Sequence, residues 1–325
     1  AYWLEMKRRE VIDIFIWSGY GLVVTPLLEY TDSLEKGASE DLNLQTFKLV
    51  DQETGKQLGL RADITSQISR IYSTYNESDI NRYCYFDHAI RAKISGSKKS
   101  RIPIQAGAEL IGSKEVKNDA ELAILMLDVL KKFTDKKIFL DLGHVGIFKK
   151  LMNHANLEKN QEKLIKNLIR SKSSSEIKMY LEELDINDSL KKCFRSFPKM
   201  HGFISEIEKY SDQLNLFDSN IKNDIKYMKL FSNVITESHP DVVIKYDFCE
   251  LKGFDYENDI IFSAYIENDS QEVAIGGKYD LDKNGVSGIG FSIDVRYLLK
   301  NQFLNKTQYK LINKSGKWFT EDNND

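Results

Sequence analysis

The sequence predicts an α+β fold: an antiparallel sheet flanked by helices, with a helical insertion. Three observations predict it. Short runs rich in β-branched and aromatic residues follow one another with hairpin-like spacings. Between residues 157 and 239 the composition shifts to lysine, glutamate, serine and asparagine, with apolar residues at helical spacing. Strand-like runs then resume. Strands joined mainly by hairpins and interrupted by helices fit an antiparallel sheet better than a doubly wound one.

Taken in order, Tyr2 to Trp17 has helical period, with Trp3, Met6, Val11, Ile14, Phe15 and Trp17 mostly on one side. Gly19 and Gly21 bracket its end. "LVVTPLLEY" (22–30) reads as a β-branched strand, with Pro26 ending regular pairing. "FKLVD" and "LGLRAD" flank "QETGKQ", a hairpin with Gly55 at its tip. On the second of these strands Arg61, Asp63 and Thr65 alternate to one face. Thr65 to Tyr75 reads as a helix capped by Thr65. Residues 82–91 and 102–110 are two more strands, joined by the basic, glycine-bearing "AKISGSKKS". Helices follow at 118–133 and 145–156, around a strand at 138–143. After the all-helical insertion come strands at 241–248, 260–266, 272–277 and 287–293, then a helix over 295–303. Residues 305–325 form a polar tail that frays, with Trp318 and Phe319 as residues able to dock. No internal repeat is present, and 1–325 reads as a single domain.

The bulk properties exclude several classes. The chain has 325 residues, 42% hydrophobic and 29% charged, enough for an ordinary buried core. A net charge of −3 argues against nucleic-acid binding through a basic field. Three scattered cysteines without CxxC spacing give neither a disulfide framework nor a zinc site, as in a reducing, cytoplasmic setting. No apolar run approaches the roughly 18 residues a membrane span needs, and no charged-then-apolar leader opens the chain.

The chemistry-bearing residues cluster on one strand pair. Along 102–110, Gln105, Gly107 and Glu109 share a face; along 82–91, Tyr83, Tyr85, Asp87 and Arg91 do. A paired face with both charge signs suits a zwitterion, Arg for a carboxylate and acids for an amine, and Gly107 leaves room for a ligand. The same pattern also fits a solvated sheet face with surface ion pairs. "GGKYD" (276–280) and "GSKKS" (96–100) match no phosphate-loop pattern and read as turns, and "GIGF" lacks a dinucleotide fingerprint. The five histidines show no metal-ligand spacing, and there is no nucleophile–base signal.

The order of these pieces resembles the class II aminoacyl-tRNA synthetase core of the histidyl type. The first helix with "GYGLVVTPLLEY" looks like motif 1, the dimer-forming element of that family. "TFKLVDQETGKQLGLRADIT" is similar to the segment carrying Arg-Pro-Glu-Gly-Thr. "RYCYFDHAIR" with "IPIQAGAELIG" looks like motif 2. "ELKGFDYE" resembles the histidine-specific motif, and "AIGGKYD" with "GIGFSIDVRYLL" resembles the turn and strand of motif 3. The resemblance runs from Ala1 to about Asn301. It implies a histidine pocket made by Asp63, Thr65, Arg91, Gln105, Glu109, Lys252, Tyr256 and Tyr279, with Asp63 and Thr65 toward the α-amino group and Glu109 facing the imidazole.

The same resemblance implies that adenylation is lost. Lys93 stands for the motif 2 glutamate and Tyr297 for the motif 3 arginine, with Arg296 adjacent. Lys252 replaces an arginine and so lacks its two-pronged donor, and Glu257 replaces a tyrosine. Adenylation needs positive charge on the transferring phosphates. Only 26 residues follow Leu299, too few for the anticodon-binding domain of the synthetases. A core with these features is similar to the regulatory subunits of ATP phosphoribosyltransferase. That family implies no catalysis and no cofactor. Its partners are the short catalytic chain, in a hetero-octamer, a second copy through the motif 1-like element, and histidine as feedback effector. The alternative is a synthetase-like enzyme that activates histidine with ATP.

Overall fold

The computed structural model describes residues 2–35, 40–75, 80–93, 100–251, 257–281, 285–303, 310–314 and 317–321. The first helix, α1 (Tyr2–Trp17), buries Val11 and Phe15. It closes at Gly19, whose φ of 85° lets Tyr20 N–H reach the Phe15 carbonyl and Gly19 N–H that of Ile16. The segment 22–30 is not one strand. β1 (Gly21–Leu22) runs parallel to a strand of the main sheet, whereas β2 (Leu28–Tyr30) joins a separate three-stranded sheet. Pro26 has no N–H for a ladder, and the Thr25 carbonyl is taken by Arg61.

Two short helices, α2 (Thr31–Leu34) and α3 (Glu40–Gln45), lead to the hairpin β3 (Phe47–Val50) and β4 (Gln57–Leu60). Gly55 turns the tip with φ 70°. The small sheet has order β2-β4-β3. β4 ends at Leu60, so Arg61, Asp63 and Thr65 do not alternate on a strand. Instead α4 (Thr65–Tyr75) begins, and the Asp63 carboxylate accepts the Thr65 N–H at 3.1 Å. Asp63, not Thr65, caps this helix, because the Thr65 hydroxyl is engaged elsewhere.

β5 (Asn81–His88) and β6 (Ile104–Ile111) are the expected pair, each trimmed near the loop. α5 (Val116–Leu130), β7 (Ile138–His144) and α6 (Val145–Ala155) follow. The insertion holds α7 (Lys159–Arg170), α8 (Ser174–Glu183), α9 (Asp188–Ser196), a short strand β8 (His201–Phe203), α10 (Ser211–Asn215) and α11 (Ile221–Ser238). The expectation of an all-helical insertion is corrected by β8. It pairs with β9 (Val243–Asp247) and extends the main sheet at its edge. Reciprocal Glu158–Gln161 bonds cap α7, and the Asn187 side chain caps α9. Insertion and sheet share one core, with Phe148 meeting Phe194 and Phe197 at 6.1 and 5.7 Å.

β10 (Glu257–Ile266), β11 (Glu272–Asp280), β12 (Ser287–Asp294) and α12 (Val295–Phe303) complete the core. The nine-stranded sheet has order β1-β5-β6-β12-β11-β10-β7-β9-β8 and is antiparallel except at β1–β5 and β7–β9. "GGKYD" is no turn: it lies inside β11. The polar tail contains an antiparallel hairpin, β13 (Lys310–Lys314) and β14 (Lys317–Glu321), with Ile312 opposite Phe319. β-prone residues at Leu311, Ile312, Trp318 and Phe319 outweigh the polar composition around them. The three cysteines are buried and free. No helix among the described residues is long and apolar enough to cross a membrane.

Candidate functional site

Register decides which side chains meet. β5 and β6 place Tyr83 opposite Glu109, Tyr85 opposite Gly107, and Asp87 opposite Gln105. β12 then places Gly290 opposite Glu109 and Ser292 opposite Gly107. β11 adds Gly277 and Tyr279 on the same side. Over this face lies a cavity of about 620 Å³, lined by Asp63, Thr65, Arg91, Gln105, Glu109 and Tyr279 among others. Six of the eight residues expected to bind ligand therefore converge. Lys252 and Tyr256 lie outside the described residues.

Glu109 is the innermost group, 1% exposed. Its Oε1 accepts the Thr65 hydroxyl and its Oε2 the Tyr279 hydroxyl, each at 2.7 Å. Gly290 makes this possible, since a Cβ there would stand 1.8 Å from Oε2. Gly288 does the same for the Tyr279 ring. Burial pushes the Glu109 carboxyl up to about 8, and the nearby Asp63 charge adds to this, against the two hydroxyl bonds. Burial likewise raises the Tyr85 phenol well above its usual range, helped by Glu109 and Asp63.

Gly107 does not open space for a ligand, as its position alone implies. A Cβ there would stand 2.3 Å from the Phe291 carbonyl oxygen and 2.4 Å from the Tyr85 ring, so the glycine admits Tyr85 instead. Gln105 donates from Nε2 to Ser292 Oγ at 2.9 Å. Its Oε1 is buried without a partner among the described residues. An orphaned buried acceptor costs about 1–3 kcal/mol, which a ligand N–H would recover. Arg91 is half-buried at the cavity wall, with Nε on the Ala62 carbonyl at 3.4 Å.

Arg61 is not part of the wall. It is 1% exposed and sits behind it. Nε donates to the His88 carbonyl at 2.8 Å, and Nη1 to the Thr25 carbonyl at 2.6 Å and hydroxyl at 2.8 Å. Nη2 pairs with Asp87 at 2.7 Å. Asp87 is thereby withdrawn from the ligand face where alternation puts it.

At the outer rim, Arg296 and Tyr297 both line the cavity. The Tyr297 hydroxyl is held by both Asp269 oxygens at 2.7 and 2.8 Å, and Arg296 is exposed. Lys93 is exposed and outside the lining. Sequence reasoning missed Gly288, Gly290, Ser292 and Asp269. The alternation of glycines in "SGIGFS" was a usable signal, because it leaves one face of a central strand bare opposite Glu109 and Tyr279. Among the described residues no group of three or more His, Cys, Asp and Glu is arranged to hold a metal.

A large, mostly antiparallel sheet backed by helices, with a polar cavity over one face, has the architecture of a class II aminoacyl-tRNA synthetase-type core. The model of the histidyl-tRNA synthetase family matches residues 1–298. The ATP phosphoribosyltransferase regulatory subunit of Methylococcus capsulatus is 36% identical over 303 residues, covering 91% of this chain and 74% of that protein. The chain belongs to the family of ATP phosphoribosyltransferase regulatory subunits, built on the histidyl-tRNA synthetase-like domain. Two solved structures share the fold. A regulatory subunit/histidyl-tRNA synthetase from Bacillus halodurans has TM-score 0.79 at 22% identity, covering 95% of this chain and 82% of that one. A chain of the HisG:HisZ ATP phosphoribosyl transferase complex from Thermotoga maritima has TM-score 0.69 at 20% identity, covering 89% and 96%.

Proposed function

We propose that this chain is a cytoplasmic, non-catalytic subunit that binds and activates the short catalytic chain of ATP phosphoribosyltransferase and carries feedback inhibition by histidine. One observation supports the reading. Glu109, Thr65, Tyr279 and the orphaned Gln105 acceptor form a polar corner in the cavity, while the position expected to carry a phosphate-binding arginine holds Tyr297, bonded to Asp269. Histidine is the ligand, held by the six converging residues together with Lys252 and Tyr256. The Thermotoga complex, an assembly of the two subunit types, supports the partner. The assembly is four regulatory and four catalytic chains.

Self-association is through the motif 1-like region, and the small sheet supports it. Leu28, Leu60 and Phe47 lie side by side, as do Tyr30, Leu58 and Leu49, so six apolar side chains share one face. The opposite face is closed by α2, with Leu34 and Thr31 at Gly59. Leu28, Tyr30 and Leu49 remain 42–46% exposed, and none of the six belongs to the buried core. Lys56 and Arg101 lie over the Tyr30 and Phe47 rings.

The test mixes the chain with its short partner and follows phosphoribosyl transfer with and without histidine. Activation that histidine reverses is expected. An unchanged rate, or histidine-dependent ATP–pyrophosphate exchange by this chain alone, overturns the proposal.

A further inference from the structure

Behind the sheet, on the face opposite the cavity, a buried charge pair adjoins the helical insertion. On β11, Tyr279 points into the cavity and donates to Glu109 at 2.7 Å. Its neighbour Lys278 points to the other face and donates to Asp119 Oδ2 at 2.6 Å. Asp119, on α5, is fully buried, and the Lys278 side chain is 13% exposed. The same carboxylate oxygen accepts the hydroxyl of Tyr227, on α11, at 2.5 Å. The Lys278 ammonium also stands 5.7 Å from the centre of the Tyr227 ring, and the buried His144 ring meets that ring edge-on at 6.4 Å. His144 pairs in turn with Asp259 on β10 at 2.7 Å. Asp119 Oδ1 has no hydrogen-bond partner among the described residues. Two donors thus converge on one oxygen of a buried carboxylate while the other takes none.

A buried ion pair is weak evidence for stability, because desolvation offsets the attraction; fixing a geometry is its better attested use. Asp119 keeps its setting only while both donors hold it. Without the Tyr227 hydroxyl the carboxylate is free to turn and offer both oxygens to Lys278, which has three donors. The lysine then shifts, and with it the β11 backbone that sets the height of the Tyr279 hydroxyl. The Tyr279 ring cannot absorb the shift by itself, because it is packed against Gly288, where a Cβ would stand 2.8 Å from it. We infer, on the reading that histidine occupies the cavity, that Asp119 is a positioning residue. Held by Tyr227, it fixes Lys278 and through it Tyr279, and so couples α11, the last helix of the insertion, to the ligand cavity. Such coupling is reciprocal for binding free energies. If the Tyr227 bond strengthens ligand binding, the ligand strengthens the hold on α11 by the same factor.

The experiment is calorimetry of the full chain with histidine, for wild type, Tyr227→Phe, Tyr279→Phe and the double variant. Tyr227→Phe should raise the dissociation constant about 3- to 30-fold, in the range for residues that act on a site through others. In the Tyr279→Phe background the same change should shift it by less than about twofold, because the step through the Tyr279 hydroxyl is already gone. A merely structural hydroxyl would lower the unfolding midpoint in both backgrounds and leave affinity alone. That result, or an equal loss of affinity in both backgrounds, overturns the proposal. Amide hydrogen exchange decides the matter where Tyr279→Phe binds too weakly to measure. Histidine should slow exchange in α11 around Tyr227 in the wild type and leave it unchanged in Tyr227→Phe; wild-type exchange indifferent to histidine overturns the proposal. Asp119→Asn, which keeps the size of the side chain and removes its charge, serves if Tyr227→Phe does not fold, with a loss of affinity in the same range expected. A wild-type chain that gives no isotherm overturns the histidine reading and this inference with it, and is told apart from the other outcomes by the wild type alone.

Discussion

Arg61→Met tests whether the arginine behind the pocket is structural. The substitution keeps the aliphatic stem and removes the guanidinium. Arg61 is 1% exposed, and its bonds tie the end of β4 to two other segments: the Thr25 carbonyl and hydroxyl before β2, and the end of β5 through the His88 carbonyl and the Asp87 carboxylate. Removing it strands two carbonyls at about 1–3 kcal/mol each. Asp87 adds less, because its side chain is 37% exposed and water can solvate it. The expected loss is about 3–5 kcal/mol, in the range for breaking one side of a buried charged network. Urea or guanidinium titration followed by circular dichroism measures it. A loss under about 1 kcal/mol refutes the staple. Asp87→Asn should cost much less. Burial disfavours the Asp87 charge, but the Arg61 and His88 bonds outweigh it and hold the carboxyl below its usual range. That pairing is present above the ordinary carboxylate pKa and is lost as pH falls through the lowered one.

Two further outcomes follow from other parts of the fold. Leu49→Asp places a charge on the apolar face of the small sheet; since a two-fold interface repeats the change, removing about 1.5–3 kcal/mol per copy should raise the dimer dissociation constant at least about 100-fold, and an unchanged sedimentation profile would exclude this face as the contact. Lys278→Met leaves Asp119, fully buried, with Tyr227 as its remaining bonded partner; a loss of about 3–5 kcal/mol is expected, with partial recovery when Asp119→Asn is added, and no recovery in the double variant would mean the pair is not coupled.

The site was more legible than its surroundings. Alternation along β6 put Gln105 and Glu109 on one face, and the register of β5 bears this out. That information is local, because period two survives whatever covers the face. The break inside 22–30 was not legible in the same way. Pro26 marks a disruption, but the transfer of the chain to a second sheet depends on Arg61, 36 residues away from Thr25. Hydrogen bonds to distant carbonyls leave no periodic trace. Gly107 shows the same limit. Its lack of a side chain was visible, yet only the Phe291 carbonyl and the Tyr85 ring, brought in by the two neighbouring strands, explain it. β8 was hidden because a three-residue edge strand is shorter than any window in which alternation can be seen.

The stretch "LGLRADIT" joins the two surfaces on which the proposed function depends. Leu58 and Leu60 belong to the apolar face of the small sheet, while Gly59 between them receives α2. Arg61 locks the strand end to β5, Ala62 offers its carbonyl to Arg91, Asp63 caps α4, and Thr65 bonds Glu109. α4 then returns to the small sheet. Gln67, 1% exposed, donates to the Pro26 carbonyl and to Glu29, and Arg70 binds Glu29 as well. Glu29 lies between Leu28 and Tyr30 on β2. The path from ligand corner to sheet face is thus a closed loop of covalent and hydrogen-bonded steps. Continuity of this kind does not by itself make an effector. A ligand shifts an equilibrium only by its differential affinity for two states. What the loop supplies is stiffness: a change at Thr65 cannot be absorbed locally in α4 without also moving the donors that hold Pro26 and Glu29.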